Sequence, residues 1–221
     1  MGVGPKTLCL RPAKSGGLSM IASASAIHNA ILERRPDLAR VLSAPYFVDR
    51  REEVPEGKKP YYSLPVFNRH AGKTTVVYIR RFVESAQRFE EVPRLTDAQV
   101  EAMDLIDELA FDDDIRLDMD FRPGDIQIVN NLITLHSRTA YEDWPEPDRR
   151  RHLLRLWFAV QEGWPLPDVY FDRYEAGRYG ANVATVGAMV QLVTRGLTLD
   201  TMRVDSSDEE DEWDDVEDEE L

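Results

Sequence analysis

From Ile115 to Val160 the chain consists of short apolar runs of period two separated by turn residues, a pattern that restricts this stretch to β structure. Leu117, Met119 and Phe121 alternate with Arg116, Asp118 and Asp120, as a half-buried strand requires. A turn at Pro123-Gly124 follows, then expected strands over 125–130, 133–136 and 151–160. Upstream, 45–81 reads as three strand-like runs divided by turns at 56–59 and 71–73, and a strand ends near Leu10 ahead of a tight turn over 14–19. Helices flank this body. One is expected over 23–34, where Ile27, Ala30 and Ile31 recur at helical spacing and Pro36 ends the run; a short one covers 37–42. A third spans 96–110, with a Thr96/Gln99 capping box and an apolar stripe of Val100, Met103, Ile106, Leu109 and Ala110. A β-rich body with a few helices points to a jelly roll or sandwich rather than a parallel α/β sheet.

The chain has 221 residues, enough for one domain with a proper core plus appendages. Its net charge of −14 is local: twelve acidic side chains and no basic one follow from Asp205. The rest holds 27 basic residues against the remaining 29 of 41 acidic ones, so the body is nearly neutral. That leaves no basic footprint for nucleic acid and no basic belt for an anionic membrane. Cys9 is the only cysteine, which points to a reducing compartment, cytoplasmic or nuclear. No apolar run approaches the roughly 18 residues of a spanning helix. The acidic tail, expected to be disordered, reads either as a solubilising terminus or as a surface for a basic partner.

Four positions can carry chemistry. His136 ends an apolar strand and reads as a metal ligand at a barrel mouth or as a histidine bonded to a carbonyl. In an extended strand Arg151, Leu153, Arg155 and Trp157 share one face. Two guanidiniums on that face either grip an anion in bidentate fashion or lie solvated on an edge strand. Ser19, after Gly16-Gly17, reads as a hydroxyl donor to a carboxylate or as a helix N-cap. The Asn130-Asn131 pair reads as a pocket lining or, in preference, as a turn cap.

Three segments, KSGGLSMIASASAIHNAI, LTDAQVEAMDLIDELA and FRPGDIQIVNNLITLHSRTAYEDWPEPDRRRHLLRLWFA, resemble the taurine dioxygenase-like (TauD/TfdA) family over about residues 8–160. The resemblance implies a double-stranded β-helix, the cupin-like jelly roll, and an oxidoreductase that uses Fe(II) as cofactor and 2-oxoglutarate as co-substrate. It implies that His136 is the distal metal ligand, that Arg151 salt-bridges the C5 carboxylate of 2-oxoglutarate, and that Ser19 helps to hold that carboxylate. Arg155 matches a position used for anionic substrates in sulfonate-utilising members. The family's other two ligands come from a His-x-Asp motif upstream of the Gly-Gly turn. Here the four histidines read His28-Asn-Ala, His70-Ala-Gly, His136-Ser-Arg and His152-Leu-Leu. The expectation is therefore a member shortened at its N-terminus, or a homologue that has lost its metal.

The expected organisation is a partial jelly-roll domain over 1–163, an extension with one helix over 164–204, and the acidic tail over 205–221. The expected function is dioxygenase-family hydroxylation of a small, anionic organic substrate with release of succinate and CO2, with these residues alone inactive. The alternative is a non-catalytic module that binds a small acid and uses the tail for interaction.

Overall fold

The computed structural model describes residues 2–51, 54, 56–160 and 164–170. Two three-stranded antiparallel sheets organise the molecule. In the first, β1 (Gly2–Arg11) lies between β12 (His152–Val160) and β9 (Ile126–Ile128). In the second, β3 (Ser19–Ser23) lies between β10 (Thr134–Arg138) and β8 (Arg116–Met119). Each sheet thus joins the N-terminal thirty residues to strands about a hundred residues later. A two-residue pair, β2 (Ser15–Gly16) with β11 (Tyr141–Glu142), links the ends of the sheets. The hairpin-rich middle holds β4 (Pro45–Asp49) with β5 (Tyr61–Pro65) and β6 (Phe67–His70) with β7 (Lys73–Val76).

The outer face of the second sheet packs on helices. α1 (Ala24–Arg34) begins at Ser23, whose side chain accepts from the Ala26 N–H. α2 (Pro36–Leu42) follows without a turn, with Pro36 at its first position. α4 (Asp97–Ala110) carries the expected capping box: the Gln99 N–H donates to Thr96 Oγ1 at 3.2 Å, and the Thr96 N–H to Gln99 Oε1 at 3.0 Å. Ile27 and Ile31 of α1, Leu38 and Leu42 of α2, and Met103, Ile106 and Leu109 of α4 close over Ala22 and Leu132 as one core. Tyr46, Val48, Leu64 and Val66 complete it.

Two expectations are corrected here. The run through 74–81 stops as a strand at Val76, and α3 (Arg80–Ser85) follows, a helix the β-branched composition concealed. Arg80 joins α3 to α4 by donating to Asp107 Oδ2 at 2.6 Å, and it pairs with Glu84 one turn on. The second correction is that Ser19 opens a strand rather than capping a helix. The cap is Ser23, and SMIAS becomes a strand because β8 and β10 pair with both of its edges. Among the described residues no helix is long and apolar enough to cross a membrane. The helix expected in the extension and the acidic tail lie outside the described residues.

Candidate active site between the two sheets

Register decides which side chains meet inside the sandwich. His136 lies opposite Ile21, and Ile21 opposite Leu117; one step of two along, Arg138 lies opposite Ser19, and Ser19 opposite Met119. These share the face turned away from the helical core. Across the gap, Thr7 pairs with both Arg155 and Gln127, so those three form one rank on the first sheet. The two faces touch where Gln127 Nε2 donates to Ser19 Oγ at 3.0 Å. Ser19 and Thr7 are 7% and 5% exposed. A cleft of about 530 Å³ runs beside this contact, between β8 and β9, lined by Ile21, Met119, Phe121, Gln127 and Val129 among others. It reaches neither His136 nor Arg151.

His136 is exposed to solvent yet densely ringed by protein, as a side chain on the floor of an open concavity is. Its pKa is pushed down to about 4, first by desolvation and second by the Arg155 charge. The imidazole is therefore neutral at pH 7, the form that can donate a lone pair to a metal. Arg155 reaches His136 electrostatically from the opposite sheet and is itself exposed, so it meets none of the burial cost that the pattern of its strand suggested.

Arg151 sits at the foot of β12. Its backbone N–H donates to both Asp143 oxygens, at 2.8 and 2.9 Å, which fixes where the strand begins. Its guanidinium carbon lies 5.2 Å from the centre of the Tyr141 ring, and that of Arg138 lies 4.5 Å from the same ring. The Gly16-Gly17 turn is shaped around these groups. Both glycines have positive φ, +71° and +74°; a Cβ on Gly17 would stand 3.4 Å from Arg151 Nε, and one on Gly16 would stand 2.3 Å from the Ala140 carbonyl oxygen. The Gly17 N–H donates to that same carbonyl at 3.1 Å, and the Leu18 N–H to Thr139 Oγ1 at 3.0 Å. The turn delivers Ser19 to β3, and its partner segment at 138–142 brings Tyr141 to Arg151. Arg151 also acts on Cys9: burial raises that thiol's pKa, and the Arg151 charge opposes the rise.

The structure thus gathers Ser19 and His136 on one sheet face, sets Arg155 against His136, and holds Arg151 at the adjoining turn. His28 lies against Phe67 in an edge contact at 4.8 Å and His70 ends β6; neither joins the site. Asn130 caps a turn, accepting from the Leu132 N–H at 3.1 Å. Reasoning from sequence missed Gln127, Arg138 and Tyr141. Gln127 is legible in retrospect as the polar residue between two isoleucines.

The donor set is tested against a metal by its own chemistry. A facial triad takes two imidazoles and a carboxylate, whereas His136 stands alone: among the described residues no group of three His, Cys, Asp or Glu side chains is placed to hold an ion. The described residues do not by themselves fit iron.

The model of the "taurine catabolism dioxygenase TauD, TfdA family" matches residues 8–157. The FR-33289 synthase of Streptomyces rubellomurinus is 38% identical over 168 residues, which are 72% of this chain and 48% of that protein. The taurine hydroxylase-like protein SAT17 of Stachybotrys chartarum is 36% identical over 163 residues, 72% of this chain and 41% of that protein. A uridine-5'-phosphate dioxygenase of an Amycolatopsis species is 28% identical, covering 68% and 53%. The chain spans about half the length of these relatives. Among solved structures, PvcB, an Fe, alpha-ketoglutarate dependent oxygenase, superposes with a TM-score of 0.52 at 15% identity, over 73% of this chain and 53% of that one. The fold is accordingly that of the Fe/2-oxoglutarate oxygenases with a jelly-roll core, as the strand pattern led us to expect.

Proposed function

The chain belongs to the taurine catabolism dioxygenase TauD, TfdA family, and from that premise we propose that its inter-sheet face is the 2-oxoglutarate-gripping half of an Fe(II)-dependent dioxygenase site. In this reading Arg151 and Ser19 hold the C5 carboxylate, His136 offers its neutral imidazole as one metal ligand, and Arg155 meets an anionic group on a small organic substrate. The substrate would be hydroxylated with release of succinate and CO2. The observation that supports the reading is the turn before Ser19. The Gly16-Gly17 turn leads Ser19 onto the face it shares with His136 and lies against the Arg151 guanidinium, which stands by Tyr141. A relative's name that specifies uridine-5'-phosphate and another's likeness to a taurine hydroxylase favour an anionic substrate.

The chain by itself binds 2-oxoglutarate without turning it over, because His136 has no partner ligands among the described residues. Calorimetric titration of the purified chain tests this. Arg151→Met should weaken 2-oxoglutarate binding by about thirtyfold or more, the cost of removing one partner of a charge pair. Unchanged affinity in that variant would sink the clamp. Iron-dependent succinate release clearly above a His136→Ala control would overturn the absence of turnover.

The same absence of a three-ligand cluster favours a second reading, a module that binds a small acid without metal and engages a basic partner through its acidic tail. Binding that is unchanged by added Fe(II) supports the module, and binding that requires it supports the oxygenase.

A further inference from the structure

We propose that Gln127 is a positioning residue for the anion site: its amide donates to the Ser19 hydroxyl and so reserves the hydroxyl proton for a ligand carboxylate. The inference rests on the reading of Ser19 and Arg151 as the 2-oxoglutarate clamp. A serine hydroxyl has one proton to give and two lone pairs to offer. If Gln127 accepts that proton, Ser19 faces an incoming carboxylate with lone pairs only and repels it. If Gln127 donates, the proton remains for the anion.

Two observations select the donating arrangement. Gln127 Nε2 stands 3.0 Å from Ser19 Oγ, whereas Oε1 stands 3.5 Å away, at the far limit for such a bond. Nε2 also lies 3.7 Å from the Met119 sulfur. A thioether can only accept, so it takes the second amide N–H, whereas the reversed amide would set oxygen lone pairs against sulfur lone pairs. Register brings the three groups together: Ser19 and Met119 are opposite one another on neighbouring strands, and Gln127 reaches both from the other sheet. Because the amide is neutral, it orients the hydroxyl without competing with Arg151 for the anion.

The test is calorimetric titration of the full chain with 2-oxoglutarate in the absence of metal, with Ser19→Ala and Arg151→Met as controls for the clamp. Gln127→Glu, whose carboxylate claims the Ser19 proton and adds negative charge, should weaken binding at pH 7.5 by about tenfold to a hundredfold. That deficit relative to the wild type should shrink several-fold at pH 5, as the introduced carboxyl gains a proton and can donate again. Gln127→Leu should weaken binding about three- to tenfold in the wild-type background and should have no further effect in Ser19→Ala, because there is no hydroxyl left to orient. If both Gln127 variants bind within twofold of the wild type while the two controls are impaired, the clamp stands and the role of Gln127 is refuted. An equal loss from Gln127→Leu with and without the serine also refutes it, because the effect would then be structural. If the controls bind like the wild type, or the wild type binds neither without metal nor with Fe(II) added, the clamp reading fails and this inference falls with it; where binding needs Fe(II), the same variants are compared in its presence.

Discussion

Replacing Gly16 by alanine separates two costs that usually come together. Gly16 and Gly72 have nearly the same left-handed backbone, φ +71° and +73°, so an alanine at either position meets the same conformational penalty, about 1–2 kcal/mol. Around Gly72 a Cβ would find nothing within 4 Å, and the penalty ends there. At Gly16 the Cβ would stand 2.3 Å from the Ala140 carbonyl oxygen, a backbone atom that cannot rotate away. The β2–β11 pair must separate, which removes the bond from the Gly17 N–H to that carbonyl and disturbs the Gly16–Tyr141 pairing. One or two lost hydrogen bonds add about 1–3 kcal/mol. Gly16→Ala should therefore lose about 2–5 kcal/mol against about 1–2 kcal/mol for Gly72→Ala, the former being roughly 4–20 °C in Tm for a chain of this size. Urea unfolding, with unchanged m-values, measures both. Since Tyr141 and Ser19 hang on this turn, Gly16→Ala should also weaken 2-oxoglutarate binding, and Gly72→Ala, between β6 and β7, should not. Equal stabilities for the two variants within about 0.5 kcal/mol, a margin typical of neutral surface changes, would refute the steric argument.

Ile106→Ala, in the core between α4 and the second sheet, should cost about 2–5 kcal/mol by the cavity it leaves; a loss under about 1 kcal/mol, read by urea unfolding, would mean that the helices close over the gap. His136 should titrate near 4 in NMR of the ring protons, against 6.5 in the unfolded chain. Between those values the unfolded state holds a proton that the folded state does not, so stability falls as pH drops through the window, and His136→Gln should remove that slope. Arg155→Met should move the His136 midpoint upward, because the Arg155 charge is the second cause of its depression; an unmoved midpoint would place Arg155 out of electrostatic reach.

α4 was readable to the residue, because a capping box and a stripe at helical spacing are local signals that tertiary packing here only reinforces. The strand β12 was readable for the same reason: alternation needs no knowledge of the partner strand, and the chain is extended from His152 to Val160. α3 was hidden because Thr74 to Ile79 has strand propensity, and the helix after it is held by contacts made elsewhere, through Arg80 to Asp107 and the burial of Val83. β3 was hidden because its pairing partners lie about a hundred residues away, so Ser19 looked like a cap.

The strand 126–128 failed differently, and its failure bears on function. Alternation puts isoleucines inward and glutamine outward, yet Gln127 faces the interior while Ile126 and Ile128 are 64% and 65% exposed. On β8 the apolar face is the interior one, but Leu117 is still 57% exposed, because the gap above it is open. A sandwich closed for stability alone would fill that gap with the isoleucines and gain about 25 cal/mol for each Å² of apolar surface removed from water. Instead the interior carries a glutamine, a serine, a neutral imidazole and a guanidinium that bears on it. The glutamine and the serine satisfy each other, and the imidazole and the guanidinium keep their exposure, so the open gap is tolerated without the cost of unmatched buried donors, about 1–3 kcal/mol each. The inverted strand thus bears on the proposed site: the residue that defeats the hydrophobic pattern, Gln127, is the one that holds Ser19.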